Sequence, residues 1–157
     1  MEISVLKVFL LIFLTHQSII AQEKIFTIDN CVNQFNIEDA VKTDVGYQYW
    51  FADKDFIDGR TLKMSVVAPH KSTHAPHKHI EDEFVFVLEG TAGFYLDGKT
   101  SVVGAFTSFY CPSNMEHGIS NVGDTELKYL VIKKISEGGK ITSGIFIRRN
   151  STSSFYC

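Results

Sequence analysis

The stretch His74 to Glu83 reads HAPHKHIEDE and holds three histidines, three acidic residues and one lysine within ten positions. An apolar run, Phe84 to Leu88, follows at once. Imidazole and carboxylate groups are donors that first-row divalent metals accept. On an extended chain, side chains two apart share a face. His77 and His79 then converge on one side, with Lys78 pointing away. After the Ile-Glu-Asp turn, Glu83 shares its face with Val85 and Val87, and Phe84, Phe86 and Leu88 take the other. Both faces beyond Glu83 read as apolar, so its carboxylate enters a mostly buried place. That is costly unless the charge is paired or meets a cation. Two imidazoles and a carboxylate in reach make three ligands of a divalent metal; a solvated His/Glu cluster on an edge loop is the alternative. A further imidazole, His117, follows Pro112 and Asn114 in YCPSNMEHGISN, and both of those residues suit a tight loop.

The elements around these residues read as strands. KIFTI (Lys24 to Ile28) is a short alternating run, and FNIEDAV (Phe35 to Val41) suits a short helix or turn. GYQYWFA alternates, with Tyr47, Tyr49 and Phe51 on one face. A turn at Asp58 to Arg60 leads into TLKMSVVA. EFVFVLEG and AGFYLDGKTSVVG form the clearest pair of runs, and Asp97-Gly98 is a hairpin signal. AFTSFYC, GISNV, ELKYLVIKKI and SGIFIRR complete the set. Short β-rich runs broken by Gly, Asn, Asp and Pro predict an all-β antiparallel sandwich or barrel.

HKHIEDEFVFVLEG resembles the first motif of the cupin superfamily: His-x-His, three residues, Glu, six residues, Gly. His77, His79, Glu83 and Gly90 match it. Gly104, Pro112, His117 and Asn121 answer the second motif. Lys71 and Asn114 stand where the family has glycine, and Gly104 lies two residues too far upstream; these departures affect turns rather than ligands. The resemblance covers roughly residues 60 to 135. It implies a double-stranded β-helix, a jelly-roll barrel with a metal inside, held by His77, His79, Glu83 and His117. Such a set suits Mn, Fe, Ni, Co or Zn and leaves positions open for a substrate's oxygens. The implied activity is that of a metal-dependent enzyme on a small oxygen-rich molecule, a sugar-acid isomerase or lyase by type. An Fe-dependent dioxygenase and a non-catalytic sugar- or ligand-binding module are the alternatives. Cupins often pair through their sheets, so a homodimer is also implied.

Other polar groups have candidate roles beside that centre. Tyr110, preceding the second motif, is a candidate general acid. His74 on the approach loop, Arg60 at a turn and Tyr49 at a barrel mouth are candidate substrate contacts. His70 also flanks the motif, whereas Glu81 and Asp82 belong to the exposed turn. Tyr47 and Trp50 suit either the mouth or the core.

The 157 residues make one domain, at a net charge of -3. The densest cationic spots are Lys133-Lys134 and Arg148-Arg149, which excludes a basic stripe and argues against a nucleic-acid partner. Lys7, the apolar run Val8 to Leu14 and a small residue at Ala21 predict a signal peptide over residues 1–21. The apolar run is too short to span a bilayer. The mature domain, residues 22–157, is then periplasmic or extracellular and free of the membrane. Cys31, Cys111 and Cys157 are odd in number, so at least one is free; a Cys31–Cys157 bridge would join the two ends. Asn150-Ser-Thr is a glycosylation sequon that matters only in a eukaryotic secretory host.

Overall fold

The computed structural model describes residues 25–57 and 59–134. The expected leader, SGIFIRR, the sequon and Cys157 lie outside the described residues. The chain divides into two units, Met1–Asn33 and Gln34–Cys157.

In the first unit residues 25–27 form no strand where KIFTI was expected to, and a single helical turn, α1 (Ile28–Cys31), begins at its last residue. The Thr27 N–H donates to the Asn30 side chain (2.9 Å), and the Cys31 N–H donates to the Thr27 carbonyl (3.0 Å). These local bonds give the backbone an alternative to strand pairing, and so short an alternation does not outweigh them.

The second unit opens with a 3-10 turn, Ile37–Asp39, capped by the Asn36 side chain, which accepts from the Glu38 N–H (3.1 Å). Strands follow: β1 (Val41–Thr43), β2 (Gly46–Ile57), β3 (Arg60–Val67), β4 (Glu83–Glu89), β5 (Ala92–Leu96), β6 (Lys99–Val103), β7 (Ser108–Cys111), β8 (His117–Asn121) and β9 (Leu127–Lys134). They form a six-stranded sheet ordered β1-β2-β3-β9-β4-β7 and a three-stranded sheet ordered β6-β5-β8. Every pairing between these strands is antiparallel. This is the antiparallel all-β class that the strand runs predicted, in the jelly-roll form that the cupin resemblance implied.

Two apolar clusters hold the unit. Val67, Val85, Val87, Leu127, Tyr129 and Val131 from the large sheet pack with Ala92 and Phe94 from the small one. Burying each Val or Leu in such a core contributes about 1.5–3 kcal/mol before entropy is counted. Tyr49, Met64 and Val66 form a second cluster. Phe35 packs edge-on against Tyr49, ring centroids 5.1 Å apart.

β4 and β5, the clearest pair of runs in the sequence, lie in different sheets. Between them Gly90 takes φ +87°, and a Cβ there would sit 2.5 Å from the Glu126 carbonyl oxygen. The hairpin joining β5 and β6 has the expected left-handed pair, Asp97 (φ 44°) and Gly98 (φ 83°). Only one face of β4 is core: Val85 and Val87 are buried, but Phe84 is 51% exposed. It packs against Tyr110 with ring centroids 4.9 Å apart.

Candidate metal centre

The two halves of the site are stitched by backbone hydrogen bonds. The His77 N–H donates to the His117 carbonyl (2.9 Å), and the His117 N–H returns a bond to His77 (2.8 Å). The Asn114 N–H donates to the His79 carbonyl (2.8 Å), and the Ser113 hydroxyl donates to the Ile80 carbonyl. Asn114 sits at φ 60°, the left-handed conformation that asparagine tolerates in glycine's place. The His-x-His segment is therefore not a strand; His77 alone forms a bridge, to His117. The two rings still fall together, with centroids 5.3 Å apart for His77–His79, 4.9 Å for His77–His117 and 4.8 Å for His79–His117.

Ligand atoms of His77, His79 and His117 lie within 4.8 Å of one another and could hold a metal ion. Glu83, the first residue of β4, faces them. Its Oε1 is 3.5 Å from His117 Nε2 and its Oε2 is 3.7 Å from His79 Nε2. The His117 side chain is 2% exposed and the Glu83 side chain 12%. Carbonyls set the tautomers: His79 Nδ1–H donates to Glu81 (2.8 Å) and His117 Nδ1–H to Met115 (2.8 Å). Each ring thus turns its Nε2 toward Glu83. Such outer partners orient metal-binding imidazoles. His77 Nδ1 and His117 Nε2 are buried without a hydrogen-bond partner. An ion accepting those lone pairs would remove the cost of leaving them bare. Burial first, then the neighbouring His74, His117 and His79, lowers the His77 pKa, against the pull of Glu83. The ring is held neutral, the form that ligates a metal.

Cys111 is buried beside this set, and its Sγ lies within 4.8 Å of the donors of Glu83 and His117. Burial, then the charge of Glu83 and a hydrogen bond to it, pushes the thiol pKa up to about 12. The proton stays on sulfur, so in the absence of an ion Cys111 acts as a neutral neighbour of Glu83.

The donors line a cavity of about 290 Å³ between the sheets. Part of its wall is polar: Gln48, Thr61, Ser65 and two lysines, Lys63 and Lys133, with Trp50 alongside. Lys63 Nζ lies 5.2 Å from the centre of the Trp50 ring, and Lys133 Nζ lies 3.9 Å from Glu83 Oε2. Burial lowers the Lys63 pKa, opposed by Glu83 and aided by Lys133. Burial also raises the Tyr129 pKa, with bonds to Thr73 and Ser65 opposing.

His74 lines the cavity at its exposed side, edge-on to His77 with ring centroids 4.2 Å apart. Three other candidates lie elsewhere. Tyr110 points outward because β7 alternates and turns Phe109 and Cys111 to the cavity; its hydroxyl donates to Asp82 (3.1 Å). Tyr49 faces the second cluster, 5% exposed, with its hydroxyl donating to the Gln34 carbonyl (3.0 Å); its neighbours Gln48 and Trp50 take the cavity side. Arg60 opens β3 on the exposed side and is not among the cavity's lining residues. His70 lies away too, 2.9 Å from Asp124. Glu81 is no exposed turn residue: its side chain is 16% exposed and 3.5 Å from His79 Nδ1. Lys63, Lys133 and Cys111 were missed. The signal for Lys63 is the period-2 alternation of Thr61, Lys63 and Ser65 with Leu62, Met64 and Val66, which marks a polar face without saying what it faces.

An antiparallel jelly roll with three imidazoles and a carboxylate gathered at an internal cavity defines a class of small β-barrel that can carry a metal. Residues 63–133 match the family model for the cupin domain, which together with the jelly-roll fold supports the cupin superfamily. The polyketide synthase CurC from Streptomyces cyaneus is 30% identical over 67 residues, 43% of this chain and 44% of that protein. The chain thus spans under half the length of this curated relative. A predicted oxalate decarboxylase from Thermotoga maritima is 25% identical, with a TM-score of 0.53 over 57% of this chain and 79% of its own. The polyketide cyclase RemF from Streptomyces resistomycificus shares the fold at 24% identity and a TM-score of 0.55, over 66% of this chain and 79% of its own.

Proposed function

We propose that this chain is an exported, metal-dependent cupin enzyme acting on a small oxygen-rich molecule in an isomerase- or lyase-type reaction. The observation that carries the reading is the convergence of the His79 and His117 Nε2 atoms, His77 and the Glu83 carboxylate at the cavity. A bound divalent ion would supply Lewis acidity to a substrate oxygen. His77, His79, Glu83 and His117 would hold it. The size of the cavity, about 290 Å³, suits a small molecule. Val85, Phe94 and Val131 keep part of its wall dry. Tyr129, kept protonated by burial, can donate a hydrogen bond to a substrate oxygen, and His74 at the opening can carry a proton between substrate and solvent. The enzymatic names of CurC and the Thermotoga protein support turnover over mere binding.

The test is incubation of metal-loaded protein with uronates and hydroxy acids, followed by NMR and an oxygen electrode. Isomerised or eliminated product without oxygen uptake, lost on chelation and in Glu83→Ala, is expected. Oxygen consumption would instead make it a dioxygenase. Sugar binding without turnover, unchanged in His77→Ala, would leave only a binding module. Export is tested by the mature N-terminus, expected at Gln22.

A further inference from the structure

The cavity wall beside Glu83 carries a second kind of chemistry. Lys63 on β3 and Lys133 on β9 both line it. Lys63 pairs with Val131 and Thr61 with Lys133, so the two lysines are diagonal neighbours on adjacent strands. Such neighbours have Cα atoms about 7–8 Å apart, close enough for two flexible ammonium groups to reach one anion. The only carboxylate lining the cavity among the described residues is Glu83. Lys133 lies 3.9 Å from it, and the half-buried Lys63 feels its charge without forming an ion pair among the described residues, its Nζ lying over the Trp50 ring. Gln48, Thr61 and Ser65 add hydrogen-bonding groups on the same wall. With a divalent ion on the donors, two ammonium groups and that ion would face a single carboxylate. The cavity would then be cationic inside a chain whose net charge is -3. An unpaired ammonium out of water is costly unless an anion meets it.

We infer that Lys63 and Lys133 form an anion subsite that docks the carboxylate of a substrate whose other oxygens point to the donor set. The inference rests on the metal-enzyme reading above and narrows its substrate to an oxy-acid. A neutral sugar or ketone would leave Lys63 and Lys133 with Glu83 as the one carboxylate to share among the cavity's lining residues. Trp50 lies beside Lys63, whose Nζ is 5.2 Å from the centre of the ring.

Trp50 is the single tryptophan of the chain, so its fluorescence reports the subsite directly. The experiment is a fluorescence titration of Mn-loaded protein with malonate and with its neutral diamide, malonamide, backed by calorimetry and by metal analysis of every sample. Malonate is expected to bind, more weakly at high salt. Lys63→Met and Lys133→Met should each weaken it about tenfold or more at unchanged metal content, while Lys63→Arg retains most of the affinity and reports a folded cavity. Absence of malonate binding overturns the subsite. So does equal binding of malonamide, or equal malonate affinity in wild type and both Met variants. Titration of chelated protein separates the two readings. Malonate binding that persists without metal and vanishes in the double Met variant supports the subsite even if the protein proves to take up no metal.

Discussion

Glu83 is the residue on which the site turns. It meets His79 at 3.7 Å, His117 at 3.5 Å and Lys133 at 3.9 Å, with the Cys111 thiol beside it. Burial and the neighbouring histidines lower the pKa of His77. For His77 this gives a sign: its folded pKa is depressed, so as pH falls below about 6.5 the unfolded chain takes up the proton first. The stability it contributes is present above the unfolded value and is lost as pH falls toward the folded one. The melting temperature of chelated protein should therefore drop from about pH 7 to about pH 5, and His77→Gln should flatten that part of the drop. A rise in stability with acid over that range would contradict the assignment. The His-x-His and Glu83 spacing was legible because those residues are neighbours in the chain. Tyr110 and Tyr49 were misplaced for a shared reason. Alternation separates the two faces of a strand, but only the closed sheets decide which face meets the cavity.

At the scale of elements, the metal donors depend on a few backbone ties. Asn121, 1% exposed, ends β8 by donating to the carbonyls of Val67 (2.9 Å) and Thr125 (2.7 Å) and by accepting from the Gly123 N–H (2.9 Å). Asn121→Ala leaves those groups unmatched and should cost about 2–3 kcal/mol in a urea titration. A loss well below about 1 kcal/mol would mean water replaces the amide. Two turns offer a contrast. Gly90→Ala must place a Cβ 2.5 Å from a backbone oxygen, whereas at Gly98 a Cβ meets nothing within 4 Å. Both sit at positive φ, so Gly98→Ala should cost about 1 kcal/mol and Gly90→Ala at least about twice that. Equal losses would show that the strand connection relaxes freely. The Asp97-Gly98 hairpin was readable because its signal is local. KIFTI was misread because five alternating residues cannot outweigh the bonds within Thr27 to Cys31.

For the whole molecule, the sequence carried the antiparallel β class and the two motifs, but not the order of strands. β9 lies between β3 and β4, so its cavity-facing Tyr129, Val131 and Lys133 join residues from much earlier in the chain. No local pattern announces that insertion, and the cationic wall went unseen with it. If a divalent ion binds only the folded chain, adding it should raise the melting temperature in proportion to the logarithm of its free concentration. In His117→Ala that increase should disappear. The most direct test of the account is elemental analysis of protein purified without added metal, alongside Glu83→Ala and His117→Ala prepared in parallel. About one divalent transition-metal ion per wild-type chain, and a small fraction of that in each variant, is the expected result. A wild-type chain that folds and takes up no such ion, or variants that keep the full complement, would contradict it.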